Sequence, residues 1–309
     1  MNHEPRVSVV MATHNRAELL GRALDSVLAQ TYRNFEIIVV DDASRDSTQE
    51  VLREYQRKHD NIRVLNLRQN VGAGAARNRG IQLARGEYVA IMDDDDVCVP
   101  TRFEQQLEVF EKHPTVELCF GLVQWVDANL QPLRVSPGIV RRGEFPADPT
   151  QVFTLMLFES NQVPHVAIMV KRKTVLRYPY PEDVSVGEDW EVVLSMAANR
   201  VTMHGIPQVL VLVDRSANRE GLMQKKDSVF RDQRRILVRV CRAHHVSYTM
   251  MFQAFSRQLT REARHWSRLR GILLAAVALL LWRENQLART TLNEIMYRAW
   301  NKVQRVKRA

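Results

Sequence analysis

Short apolar runs alternate with segments whose apolar positions fall three or four residues apart. The run "VSVVM" at 7–11 is rich in β-branched residues and reads as a strand. It leads into "NRAELLGRALDSVLAQ", where Leu19, Leu20, Ala23, Leu24, Val27 and Leu28 recur at helical spacing behind Asn15 as a candidate N-cap. "FEIIVV" at 35–40 predicts a second buried strand that ends at Asp41 and Asp42, and 46–58 a helix. "IRVLNL" at 62–67 is a third strand. A glycine-bearing loop, "NVGAGAARNRGIQLA", then opens a helix, and "EYVAIM" at 87–92 is a fourth strand. Pro100 is placed to start the next helix, "PTRFEQQLEVFEKH".

Beyond residue 116 the pattern loosens. "VELCFGLVQWV" is strand-like, 130–150 reads as a loop, and "HVAIMV" at 165–170 as a strand. A helix entered through two acids spans 187–200, and "VTMHGIPQVLVLVDR" closes the sheet region. From about residue 222 only helices are predicted. Strands and helices alternating in this way imply βαβ units, an α/β fold with a mostly parallel sheet flanked by helices, and a helical C-terminal extension. The organisation expected is 1–221 for the α/β domain (1–115, then 116–221) and 222–309 for a basic helical region. Ligands of such sheets bind outside the carboxyl ends of the strands. The polar residues Thr13–Asn15, Asp41–Asp42 and Asp93–Asp96 all sit at those ends.

Composition narrows this picture. The 309 residues are 45% hydrophobic and 26% charged, which suits a chain with a real core and argues against wholesale disorder. Charge is uneven. Residues 215–309 hold 21 of the 44 Lys+Arg and 6 of the 35 Asp+Glu, so they carry +15 while residues 1–214 carry −6. The basic end predicts peripheral contact with an anionic membrane face rather than nucleic acid, for which no motif is present. The apolar stretch at 271–282 is too short to span a bilayer, which takes about 20 residues. Cys98, Cys119 and Cys241 form no disulfide framework, and the N-terminus has no signal-peptide pattern, so a cytoplasmic setting is expected, with a peripheral place on the inner membrane face.

Four consecutive aspartates, Asp93 to Asp96, end the fourth strand. Adjacent carboxylates there raise one another's pKa unless a cation neutralises them, and hard divalent ions take carboxylate oxygens. Alternation along an extended segment would put Asp93 and Asp95 on one side and leave Asp96 to cap the next helix. Asp42 or Asp41 is placed to accept hydrogen bonds from a nucleotide base. Gly72 and Gly74 do not complete a dinucleotide fingerprint, since Asn78 stands where the third glycine belongs. Arg77 and Arg79 are within reach of a diphosphate. Glu188 and Asp189 open an apolar helix, as dipole caps or, for one of them, as a general base.

Taken together, "VSVVMATHNR", "QTYRNFEIIVVDDASRDST", "NVGAGAARNRGI", "GEYVAIMDDDDVCVP" and "GEDWEV" resemble the family 2 glycosyltransferases with the GT-A fold, in order and spacing from about Val7 to Arg215. The resemblance implies a nucleotide-diphosphate sugar as donor, Mn²⁺ or Mg²⁺ as cofactor, and a glycan or lipid-linked saccharide as acceptor. It implies nucleotide-sugar contacts at Ala12, His14, Asp41, Asp42 and Arg77, sugar or ribose contacts at Asp93 and Asp94, and metal ligation by Asp95 with Asp93. Asp189 falls where the family has its catalytic base. The Gln-x-x-Arg-Trp signature of processive members is missing, which implies addition of single sugars. "VDRSANRE" keeps Arg215 but lacks the histidine that many relatives carry there.

Two other functions fit the acidic strand ends less well. A sugar-nucleotide nucleotidyltransferase carries a glycine-rich N-terminal loop, and "VMATHNRAELL" has no glycine. A non-catalytic nucleotide-sugar-binding module is expected to have lost the aspartates or the base.

Overall fold

The computed structural model describes residues 4–136, 148–159, 161–215, 226–247 and a few positions from 250 to 258. The apolar segment at 271–282 and the basic tail at 284–309 lie outside the described residues. The chain divides into two units after Ile236.

The first part follows the predicted alternation. Strands β1 (Val7–Thr13), β2 (Phe35–Asp41), β3 (Ile62–Asn66) and β4 (Tyr88–Asp93) pair in parallel in the order β3-β2-β1-β4. Between them run α1 (Ala17–Leu28), α2 (Thr48–Lys58) and α3 (Ala73–Leu83). Every residue of β2 is buried, so both of its faces are covered, which is why it reads as a continuous apolar run. On α1 the buried positions Leu20, Ala23, Leu24 and Val27 lie at the predicted spacing. Asn15 does not cap α1. It sits at φ 53°, and its Oδ1 accepts the Arg45 N–H at 2.8 Å, which ties the first strand-end loop to the second.

The second part is irregular. It contains the short β5 (Val97–Cys98), α4 (Arg102–Lys112), β6 (Leu118–Val126), β7 (Pro132–Ser136), α5 (Pro149–Glu159), β8 (Met169–Lys171), α6 (Arg172–Val175), α7 (Glu188–Ala198) and β9 (Met203–Asp214). Helix α8 (Lys226–Ala243) follows. β8 joins β4 and β6 antiparallel, β9 runs parallel to β6, and β5 pairs β9 antiparallel. Two expectations change here. Part of the predicted loop is β7, which pairs antiparallel with β6. Of the strand predicted at 165–170, His165–Ala167 is a 3-10 turn, because the buried His165 ring turns inward to Tyr180.

Where β4 and β8 part company, side chains replace the ladder. β4 pairs β8 only over Tyr88–Ala90. The fully buried Arg102 then donates to the carbonyls of Ile91 at 2.9 Å and Ile168 at 3.0 Å. Gln106 holds the Arg102 Nε through its side-chain oxygen and donates to the carbonyls of Ala167 at 2.9 Å and Cys119 at 3.2 Å. One turn of α4 thus adds buried donors to these carbonyls, and at Ile168 it joins the Ile91 N–H, which reaches the same oxygen at 3.2 Å. Among the described residues no helix is long and apolar enough to cross a membrane, and all three cysteines are free and buried.

Candidate active site

Strand register gathers the polar ends. β1 places Thr13 beside Asp41 of β2 and Ala12 beside Asp93 of β4, so these loops open on one edge. Asp41 is fully buried and spends its carboxylate on its own turn, with Oδ1 accepting from the Ser44 N–H at 3.1 Å and Oδ2 from Gln49 Nε2 at 3.0 Å. Asp42 accepts from the N–H groups of Val71 and Gly72, each at 2.8 Å, and so pins the loop that opens α3. Gly72 has φ 88°, a conformation a side chain would strain. His14 Nδ1 bonds the Asp42 carbonyl at 2.7 Å, and its Nε2 lies 3.0 Å from the Asn15 side-chain amide. Ala12, His14, Asp41 and Asp42 are thus neighbours, with Asp41 turned away from solvent.

The aspartate run does not stay extended. β4 ends at Asp93 and the chain turns over Asp94 and Asp95. That turn brings Asp96 back, so Asp93, Asp95 and Asp96 offer carboxylate oxygens within 4.8 Å of one another. Asp96 therefore does not cap α4, which starts at Arg102 behind Thr101. Three carboxylates converging in this way are the donor set of a hard divalent cation, and the residues fit Mg²⁺ or Mn²⁺. Asp94 points into the protein at 8% exposure, where burial, with Asp95 and Asp93 adding repulsion, pushes its carboxyl up to about 7. From the solvent side Arg16 stands 4.0 Å from Asp94 Oδ1 and 3.9 Å from Asp95 Oδ2. Arg22 locks the turn by donating to the Asp95 carbonyl at 3.0 Å and to the buried Asp214, at the end of β9, at 2.6 Å.

The third acidic station reaches this cluster through one buried cation. Arg77, on α3, donates from Nη2 to Asp93 Oδ1 at 2.8 Å and from Nη1 to Glu188 Oε1 at 2.9 Å. Burial works against its charge, and the two carboxylates more than offset that, so its pKa rises. Its guanidinium lies 5.7 Å from the centre of the Tyr180 ring. The Tyr180 hydroxyl bonds His165 Nε2 at 2.6 Å, and burial pushes that imidazole down to about 3, so it accepts as a neutral ring. Asn78 donates to the Tyr180 carbonyl and accepts its N–H, both at 2.8 Å. Gly74 permits the close approach: a Cβ there would lie 2.9 Å from the Pro181 carbonyl oxygen.

Asp189 follows Glu188 at the start of α7, and its Oδ2 accepts from Asn161 Nδ2 at 2.9 Å. It keeps partial surface exposure, yet crowding by protein atoms and the neighbouring Glu188 raise its carboxyl to about 6. The loop before α7 is held by Asp232 of α8, which accepts from the Ser185 N–H at 3.0 Å and its hydroxyl at 2.8 Å. Beyond Asp214, the guanidinium of Arg215 lies 4.2 Å and that of Arg134 4.5 Å from the Trp125 ring centre. Sequence reasoning missed Asp96 as a cluster member, and also Asn161, Arg22 and Asp214. Asp214 carried a visible signal, an acid closing an apolar strand, whereas Asn161 stands in a stretch without periodicity.

Comparison with known proteins agrees with this geometry. Residues 8–173 match the profile of glycosyl transferase family 2. An uncharacterized glycosyltransferase of Methanocaldococcus jannaschii is 31% identical over 226 residues, covering 72% of this chain and 74% of that protein. A putative teichuronic acid biosynthesis glycosyltransferase of Bacillus subtilis, TuaG, is 38% identical over 107 residues, 35% of this chain and 42% of its own length. Among solved structures, S. aureus TarS 1–349 in complex with UDP-GlcNAc superposes with a TM-score of 0.62 at 16% identity, covering 92% of this chain and 93% of that one. A mannosyltransferase of Pyrobaculum calidifontis in complex with GDP-Man and Mn²⁺ gives 0.56 at 19% identity, over 98% of this chain and 85% of the other. The fold is thus the one these glycosyltransferases share.

Proposed function

The chain belongs to glycosyl transferase family 2, and from that premise we propose a non-processive, inverting glycosyltransferase. It moves a sugar from a nucleotide-diphosphate donor, UDP- or dTDP-linked, to an acceptor hydroxyl of a cell-surface glycan or lipid-linked saccharide. The observation that carries this reading is the link through Arg77 between the aspartate cluster and the Glu188–Asp189 helix start, at 2.8 and 2.9 Å. A place for a cation and a candidate base thereby share one edge of the sheet. Two solved neighbours, one in complex with UDP-GlcNAc and one with GDP-Man and Mn²⁺, support a nucleotide sugar and a divalent ion here.

Asp93, Asp95 and Asp96 would hold the cation. When bound, it supplies Lewis-acid stabilisation of the charge that develops on the departing diphosphate. Ala12, His14 and Asp42 border the nucleotide base, and the turn through Asp94 and Asp95 faces the sugar or ribose. Asp189, held by Asn161, takes the proton from the acceptor hydroxyl as its oxygen attacks the anomeric carbon from the face opposite the diphosphate. A carboxyl raised to about 6 is well matched to that task, because a base works best with its pKa near the operating pH.

The test is Mn²⁺-dependent turnover of UDP-, dTDP- and GDP-sugars by the wild type and by Asp189→Asn. A general base contributes about 10²–10⁴-fold, so the variant should bind donor normally and lose transfer by that factor. Normal transfer by the variant would refute the assignment. Formation of a nucleotide sugar with release of pyrophosphate, from a nucleoside triphosphate and a sugar 1-phosphate, would instead favour the nucleotidyltransferase reading.

A further inference from the structure

Arg77 donates hydrogen bonds to both Asp93 and Glu188. The family resemblance suggests a nucleotide-pocket lining residue, but its surroundings point elsewhere. Both terminal nitrogens of the guanidinium are already engaged by carboxylates, at 2.8 and 2.9 Å, and the side chain is 7% exposed. The same helix grips the segment before α7 twice more, through the paired Asn78–Tyr180 backbone hydrogen bonds and the close approach at Gly74. A planar fork that bridges two acids fixes distance and orientation together, which a single point charge does not.

We propose that Arg77 is a positioning residue that sets helix α7, and with it Asp189, relative to the aspartate cluster, so that a cation arriving at the cluster is felt at the base. The inference rests on the cluster and base assignments above. Its physical basis is a shared carboxylate. A cation that draws on the charge of Asp93 weakens the Asp93–Arg77 pair and leaves Arg77 held more strongly by Glu188, which tightens the first turn of α7. Donor loading and alignment of the base then form one event rather than two.

Mn²⁺ alone is the probe. Amide hydrogen exchange in the first two turns of α7 should slow on Mn²⁺ addition to the full-length wild type. In Arg77→Gln, Mn²⁺ should still bind, by electron paramagnetic resonance, yet leave α7 exchange unchanged. Should the glutamine variant fail to fold, Arg77→Lys carries the test, since lysine keeps the charge but not the fork. With the donor that turns over in the panel, Arg77→Lys should lower kcat by about 10²-fold, the cost of a misplacement near 1 Å, with the donor KM within about threefold. An undiminished Mn²⁺ effect on α7 in either variant overturns the proposal. So does a raised donor KM at unchanged kcat, which would make Arg77 a donor contact. If Mn²⁺ does not bind the wild type, the cluster reading and this one fall together. If Asp189→Asn transfers normally while the α7 response persists, the base assignment falls and takes with it the link to the base, leaving Arg77 as the coupler of the cluster to α7.

Discussion

The two parts of the sheet are built by different rules. In β1 to β4 the strands are parallel and joined through helices, and β1, β2 and β4 are buried along almost their whole length. From β5 to β9 the strands are short or bulged and mixed in direction. Buried polar side chains, Arg102 and Gln106 on one side and Arg77, Asn78 and Tyr180 on the other, supply what the ladders do not. The regular part ends in the aspartate cluster and the loops beside it, while the irregular part carries Asp189, and polar bridges set one against the other.

The sharpest way to break that contrast is Arg102→Met, which keeps bulk and removes the donors to Ile91 and Ile168. Losing these buried hydrogen bonds and the pairing with Gln106 should cost about 2–4 kcal/mol, read as a lower urea midpoint at similar slope. Next is Gly74→Ala, whose new methyl meets the Pro181 carbonyl and forces α3 from the 180–188 segment. Overpacking of this kind should cost about 1–3 kcal/mol, with transfer falling more than donor binding.

Smaller effects concern pH. Asp189 has a raised carboxyl, so the folded state holds its proton more tightly than the unfolded chain. Its contribution to stability is therefore full below about pH 4 and is lost as pH rises through about 6. Activity runs the other way: with Mn²⁺ saturating, kcat should rise with pH and level off above about 6, and no such limb should remain in Asp189→Asn. Asn161→Ala removes a hydrogen bond that favours the ionised form. It should move the limb to higher pH by about one unit, which corresponds to about 1.4 kcal/mol. A limb that stays in place would show that Asn161 does not tune Asp189.

Legibility followed the same divide. β1, β2 and β4 were readable because burial on both faces leaves an apolar run that no loop imitates. The strand predicted at 165–170 was misread because apolar content does not reveal that His165 bonds Tyr180, fifteen residues on. In the site, the acidic strand ends were visible one by one, but the linkage between Arg77 and Glu188, far apart in the chain, had no local signature.

Sequence alone determined the α/β alternation, the acidic strand ends and the family, since each is written in short-range patterns of residue type. Only the tertiary structure decided what the four aspartates do. A turn after β4 sends Asp94 inward and returns Asp96 to stand with Asp93 and Asp95, because direction in a turn depends on what packs around it. The same holds for Arg77, whose role is set by two carboxylates that the fold, and not the order of residues, brings within 3 Å.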